Sequence, residues 1–453
     1  MLKHKKLLIL VLLLLGFVFR VILFDKNLRG DIAVIAEWGE RLWVSPQKFY
    51  FDTPWYYAPP AYPPLSNLVF AGSFWLYKHN IFATIHNVFK IFPGSWVQYL
   101  GKPVELDPLL YTYGYYLLLK LPAILSDLII SLIVYVVVRD ITKDGKKALL
   151  GLCVYLFNPV TIFLSGVWGQ TESFIALFGF SAFILLCYKK AYLSIPLFFI
   201  SIYLKPTWMS LLPFYLALIF YVKPKLTHLL IGLLLSASIY LFSTIPFSKG
   251  SVLNFTRRIY TEKIVSSSKG TSKASISAFN FYTVFFEIDK TFVSTGIGYL
   301  NIERLGILLY LLINAVVIRH LFESQENLLN KTLVGVFMVS FGTFIFLSSM
   351  LERYFSPGFI SLIIIMITSP KILAKMIIVN TILFLNLFWA FYRRTSDEIG
   401  TIFTNYNYFL IRLLSAVMVI LYLNFGSYFK IFTPDVLKFV GGKRSFRTFR
   451  SDF

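Results

Sequence analysis

Long apolar runs separated by short basic links recur along almost the whole chain, and few folds can accommodate them. The first is LLILVLLLLGFVFRVILF at 7–24, and others follow at about 114–138, 148–164, 172–188, 191–204, 207–222, 226–247, 297–319, 332–349, 354–368, 371–391 and 405–424. Many approach the ~20 residues a helix needs to cross the hydrocarbon layer. Inside that layer every backbone polar group must be paired within the segment, so such runs are read as helices. With 57% of residues hydrophobic and 14% charged, the chain lacks the polar residues to clothe a soluble surface. The expected fold is an all-α polytopic membrane protein. Cys153 and Cys187 both lie within apolar runs and read as packing residues, not as a disulfide or metal site.

The basic residues set the topology. MLKHKK precedes the first run as in a signal peptide, but no small-residue cleavage site follows, so a retained helix with a cytosolic N-terminus is expected. On that basis 139–147, Lys189 and Lys190, Lys223 and Lys225, 319–331, Lys371 and Lys375, and the basic tail 426–453 all fall on the cytosolic side. This placement accounts for the net charge of +21 without nucleic acid. Both termini inside require an even number of crossings, giving 12, or 14 if PPLSNLVFAGSFWLY and IFATIHNVFKIF form a helix pair. Residues 1–425 then make one transmembrane domain. The segments 24–65, 166–173, 204–207, 248–296, 351–357 and 391–400 all face outward.

Those outer segments carry residues whose chemistry is costly at a membrane. In 24–65, DIAVIAEWGERLW has the pattern of a short amphipathic helix along the interface, starting at Asp31 and placing Glu37 and Glu40 on its solvated side. YAPPAYPPL follows as a rigid aromatic wall. Gln170 and Glu172 open a helix directly after Trp168 and Gly169. Lys205 precedes Pro206 at a helix break, a common way to hold an anionic group at membrane depth. Glu352, Arg353 and Tyr354 read either as an interfacial ion pair with an aromatic anchor or as site residues. Arg20 has two readings, a snorkelling side chain or a phosphate contact. Lys120 and Asp127, seven positions apart on one helix face, read as a packing or snorkelling pair. The cations of 248–296 fit a solvated flexible segment or an electropositive rim for phosphate or anionic headgroups.

The order of these motifs brings a resemblance. An Asp in the first outer loop followed by Tyr62-Pro63-Pro64, then KLPAILSDL, NPVTIFLSGVWGQTES, LKPT, AFNFYTVF and ERYFSP, is similar to the GT-C glycosyltransferase superfamily over residues about 10–360. The likeness is nearest to bacterial mannosyltransferase-like members and to the dolichyl-phosphate-glucose glucosyltransferases. It implies a GT-C-type bundle and an inverting transfer of a hexose, of mannose or glucose type, from a polyprenyl-phosphate donor. The acceptor would be a hydroxyl of a glycan, glycolipid or protein, reached at the outer face of a prokaryotic plasma membrane. It makes Asp31 the catalytic base, gives Lys205, Arg353 and Arg20 to the donor phosphate, and places Tyr62, Trp168, Gln170, Glu172, Glu352 and Tyr354 around the substrate. Glu172 stands where the family usually has Asp, and Leu351 replaces the His of an His-Glu-Arg-Tyr element. No cofactor is implied, and no metal is expected, since His4, His79, His86, His228 and His320 are scattered. A lipid-sugar flippase or secondary transporter is the alternative, weighed against by the lack of an internal repeat.

Overall fold

A computed structural model gives the architecture and describes residues 2–23, 30–79, 81, 113–264, 272–297, 299–393 and 396–432. The chain runs through α1 (Leu2–Ile22), α2 (Asp31–Val44), α3 (Pro64–Lys78), α4 (Tyr113–Thr142), α5 (Gly145–Leu156), α6 (Pro159–Ile162), α7 (Glu172–Cys187), α8 (Ala191–Leu204), α9 (Leu212–Val222), α10 (Leu226–Thr244), α11 (Val252–Arg258), α12 (Phe281–Phe285), α13 (Ile302–Glu323), α14 (Leu328–Phe346), α15 (Ser356–Thr368), α16 (Leu373–Tyr392) and α17 (Asp397–Tyr428). The only strands among the described residues are the two-residue antiparallel pair Gly296–Ile297 and Leu300–Asn301. Among the described residues seven helical segments are long and apolar enough to cross a membrane: Gly114–Thr142, Gly145–Trp168, Leu226–Phe247, Ile302–Glu323, Leu328–Phe346, Pro370–Tyr392 and Asp397–Tyr428. Shorter apolar helices stand among them at α7, α8, Pro206–Val222 and α15. The protein is an all-α polytopic membrane protein. Of the pair expected over 65–100, α3 is the first member. The second, from 82 onward, and the basic tail from 433 onward lie outside the described residues.

α14 and α15 form the centre, with Phe337, Phe341, Phe344, Ile363 and Ile364 fully buried. α10 is peripheral and exposes Leu233, Leu234 and Phe242, as a helix facing lipid does. The helix ends follow local chemistry. Lys143, Lys189 and Lys223 stand at the ends of α4, α7 and α9 in the left-handed region, with φ of 55°, 60° and 49°. A left-handed residue stops a helix, and a cation there suits the negative end of the helix dipole. The run expected as one helix at 148–164 breaks at Phe157, because Pro159 has no N–H to give and Asn158 caps the restart through Val160 N at 2.9 Å.

The links separate to two ends of the bundle. At one end Tyr188 donates to Asp140 at 2.8 Å, and Lys331 reaches Tyr221 and the Leu321 carbonyl. At the other end Lys249 pairs with Asp52 at 2.7 Å, Trp168 meets Phe391 edge-on at 5.1 Å, and Ser277 bonds Glu352. The described parts of the six segments expected to share a face meet at that second end, where Asp31 also reaches Gln170 and Arg353, and Lys205 reaches Glu172.

Arg20 is wholly buried between α1, α4 and the α5–α6 region. Its Nε donates to Asp127 at 3.0 Å and Ser165 at 3.1 Å, Nη1 to the Gly16 and Leu156 carbonyls, and Nη2 to Thr161 at 3.0 Å. Asp127 also accepts from Tyr155 at 2.9 Å and Ser165 at 2.6 Å. The expected Lys120–Asp127 pair is not formed: Asp127 serves Arg20, and Lys120 donates to the Gly166 and Val167 carbonyls. Removing one member of a fully buried pair strands the other charge, at a cost of ~3–5 kcal/mol. Arg20→Met or Asp127→Leu alone should lower thermal stability in detergent by that order. The double variant should recover most of the loss, and equal losses in single and double variants would reject the pairing as the cause.

The expectation of a solvated Glu37 and Glu40 is overturned. α2 is covered on several sides, and both residues are buried. Glu37 accepts from the backbone of Tyr56 at 2.8 Å and Tyr57 at 3.0 Å, which folds the 53–63 strap back over the helix. Glu40 is 8% exposed. Burial, opposed by Arg41 and reinforced by Glu37, pushes its carboxyl up from 4.5 to about 7. The folded chain then keeps a proton that the unfolded chain releases near 4.5, so this group's contribution to stability falls as pH rises from about 4.5 to about 7 and is level above it. The fall is at most ~3 kcal/mol. Glu40→Gln should flatten melting temperature over that interval and be the more stable protein at alkaline pH; an unchanged pH profile would remove Glu40 as the source.

Candidate functional site

Four irregular links position the site. The first is the start of α2, where Gly30, at φ 87°, lets the chain turn into the helix beginning at Asp31. The second is Trp168-Gly169-Gln170, which ends a wide helical turn over Phe163–Trp168. Gly169 has φ 78°, and a Cβ on it would fall 2.6 Å from Lys120 Cε, so only glycine fits. Lys120 clamps this turn by donating to the carbonyls of Gly166 at 3.0 Å and Val167 at 2.9 Å. The third link is Lys205, held extended by the proline after it. The fourth is the turn Leu351–Phe355 ahead of α15, closed by Tyr354 N to the Leu351 carbonyl at 3.1 Å.

These links bring five charges together. Gln170 Nε2 donates to Asp31 Oδ2 at 2.5 Å, and Arg353 Nη2 lies 3.3 Å from the same oxygen. Arg353 Nη1 pairs with Glu352 at 2.6 Å, while its Nε is 3.7 Å from Glu172. Lys205 Nζ closes on Glu172 at 2.5 Å and stands 5.3 Å from the centre of the Tyr62 ring. The Arg353 guanidinium lies 5.4 Å from the Trp168 ring. Tyr354 is packed beside them, within electrostatic range of Lys205 and Arg353. Every expected site residue is in this group except Arg20, whose donors all point into the separate network described above.

The three carboxylates are not equivalent. Glu172 and Glu352 are 1% and 3% exposed and committed to Lys205 and Arg353, whereas Asp31 is 48% exposed. Burial works against the charge of both cations. In Arg353 the carboxylates of Asp31, Glu352 and Glu172 outweigh it, and in Lys205 that of Glu172 does, so both are held above their ordinary values and stay charged. Of the three hydrogens on the Lys205 ammonium one is used by Glu172, which leaves donors for an anion.

A second layer, outside the residues singled out from sequence, stiffens the group. Ser277 bonds Glu352, and Asn386 on α16 accepts from Phe279 N at 3.0 Å and donates to the Ser277 carbonyl at 2.7 Å. An asparagine within an otherwise apolar run was the available signal for it. Tyr62 is held by its carbonyl, which accepts from Tyr50 at 2.7 Å and Asn67 at 3.1 Å. Beneath the group a cleft of about 30 Å³, lined by Glu172, Glu352, Arg353 and Ser356, has room for one or two water molecules, too little for a sugar ring. A cavity of about 750 Å³ lies at the opposite end, lined among others by Arg319, His320, Glu326 and Lys430, and holds none of the expected site residues.

The group offers one reachable carboxylate beside two cations, a buried lysine and a largely covered arginine, that neighbouring acids hold in the charged form. Such a set can accept a proton from a hydroxyl while stabilising an anion a few ångströms away. No group of three or more His, Cys, Asp and Glu side chains is arranged to hold a metal among the described residues. No family model matches the chain, and no curated protein matches it.

Proposed function

We propose that this chain is a GT-C-type inverting glycosyltransferase that moves a hexose from a polyprenyl-phosphate donor to a hydroxyl acceptor. The observation that carries the reading is the asymmetry at Asp31: it is 48% exposed, whereas the other two carboxylates of the group, Glu172 and Glu352, are buried and paired with Lys205 and Arg353. Motifs from 31, 62, 168–172, 205 and 352–354, far apart in sequence, meet within this group, which supports their belonging to one site. The acceptor oxygen attacks the anomeric carbon opposite the phosphate, its proton passes to Asp31, and the bond to phosphate breaks with its electron pair on the phosphate oxygen. Lys205 and Arg353 stabilise that leaving anion. The Lys-rich helix ends gather at the opposite end of the bundle, which supports a cytosolic placement there and an outward-facing site by the positive-inside rule.

Two variants test this reading against purified protein incubated with a panel of polyprenyl-phosphate sugars, with products read by mass. Asp31→Asn should lower transfer by ~10²–10⁴-fold and leave donor binding nearly unchanged. Lys205→Ala combined with Glu172→Gln, which leaves no stranded charge, should weaken donor binding by an amount typical of a charged hydrogen bond, ~1.5–3 kcal/mol. Turnover retained in the first variant rejects Asp31 as base. Movement of a labelled lipid-sugar across vesicles with no transfer to any acceptor rejects the enzyme in favour of a flippase.

A further inference from the structure

The chain after α10 forms a basic helical segment that the Asp31 group does not use. α11 continues into a wider turn at Ile259–Ile264, so 252–264 make one short helix. Its inner face is seated on the first loop: Phe255 is buried against Tyr50 at 5.7 Å and Phe51 at 6.2 Å, and Ile259 is buried with it. The Arg258 guanidinium lies 3.9 Å from the centre of the Phe51 ring, with Lys263 at 5.4 Å. The outer face is different. Leu253 is 77% exposed, and Asn254, Arg257 and Arg258 are exposed around it. Residues 253 and 257 are one helical turn apart, so an apolar side chain and a cation share that face.

The charge around this helix is unbalanced. Lys48, Lys249, Arg257, Arg258 and Lys263 surround two carboxylates, Asp52, paired with Lys249, and Glu262, paired with Arg258. Position adds the second constraint. The helix follows directly on the spanning segment Leu226–Phe247, whose last turns expose Phe242 and Ile245 as lipid-facing residues. It therefore begins where that segment leaves the hydrocarbon. An amphipathic helix at that depth places its apolar residue below the phosphate plane and its cations at it.

We propose that residues 252–264 lie in the membrane interface at the Asp31 end of the bundle and bind anionic phospholipid headgroups through Arg257 and Arg258, with Leu253 immersed. The inference does not depend on the transferase reading. It is tested on the full chain in nanodiscs, with a fluorophore on Asn254→Cys in a Cys153→Ser, Cys187→Ser background. Quenching is measured with brominated phosphatidylglycerol or brominated phosphatidylcholine at equal mole fraction. The anionic lipid should quench more, with an enrichment of roughly five-fold for each engaged cation at low salt. Arg257→Ala with Arg258→Ala should remove most of that preference. So should 1 M salt acting on the unmutated helix, which shortens the screening length to about 3 Å. Equal quenching by the two lipids, or a preference surviving both treatments, overturns headgroup binding; no quenching by either lipid overturns the interfacial placement.

Discussion

A charge buried in a membrane bundle is tolerated only where its partner is already in place, and this constraint organises the molecule. Two networks satisfy it. Arg20 and Asp127 are wholly enclosed and use Thr161, Ser165 and Tyr155 to complete their bonding. Lys205, Glu172, Arg353 and Glu352 form the other, which opens to the surface at Asp31. A single short stretch joins them, since Thr161 and Ser165 belong to the first network and Gln170 and Glu172 to the second. Between them Lys120 clamps the Gly166 and Val167 carbonyls. That stretch is a broken helix, and irregular backbone at such depth persists only where side chains repair its lost hydrogen bonds. Lys120 performs that repair, and in doing so fixes the turn that aims Gln170 at Asp31.

Much of this was legible in the sequence, because burial in lipid imposes long apolar runs that polar links interrupt. α7, α8 and α15 begin or end close to where the runs do. Lys205 before Pro206 marked its own break, and Gly169 its own turn. What escaped depends on partners distant in the chain. The pattern of α2 placed Glu37 outward because nothing local shows that the 53–63 strap returns over it. Spacing on one helix linked Lys120 to Asp127, yet each finds a better partner on another element, a carbonyl pair for one and Arg20 for the other. Helical periodicity reports which residues share a face and is silent on what that face meets.

The first loop is correspondingly more than a connector. Glu37 receives two strap amides, Trp38 Nε1 donates to the Ala58 carbonyl at 2.8 Å, and Tyr115 donates to the Ala36 carbonyl at 2.9 Å. α2 is thereby fixed to its own strap and to α4. The strap ends at Tyr62, beside Lys205, and α3 begins by bonding the Leu204 carbonyl through Ser66. One rigid assembly thus sets both the exposed acid and the ring that borders the buried lysine, as a site needs if its geometry is to be held without ligand.

On the proposed chemistry, the charge count of the site acquires a meaning. Among the described residues three carboxylates face two cations, and an incoming phosphate adds a further anion to them. It can be accommodated by the Lys205 hydrogens that Glu172 does not use and by drawing on an arginine now shared with acids. Arg353 is the shared one: Glu352 and Glu172 are buried and cannot release it to solvent, whereas Asp31 at the rim can. A phosphate that recruits Arg353 therefore loosens its hold on Asp31 first. A carboxylate relieved of a neighbouring cation takes up a proton more readily. Binding of the leaving group would in that way prepare the base, and the link between the two halves of the reaction would be a single guanidinium.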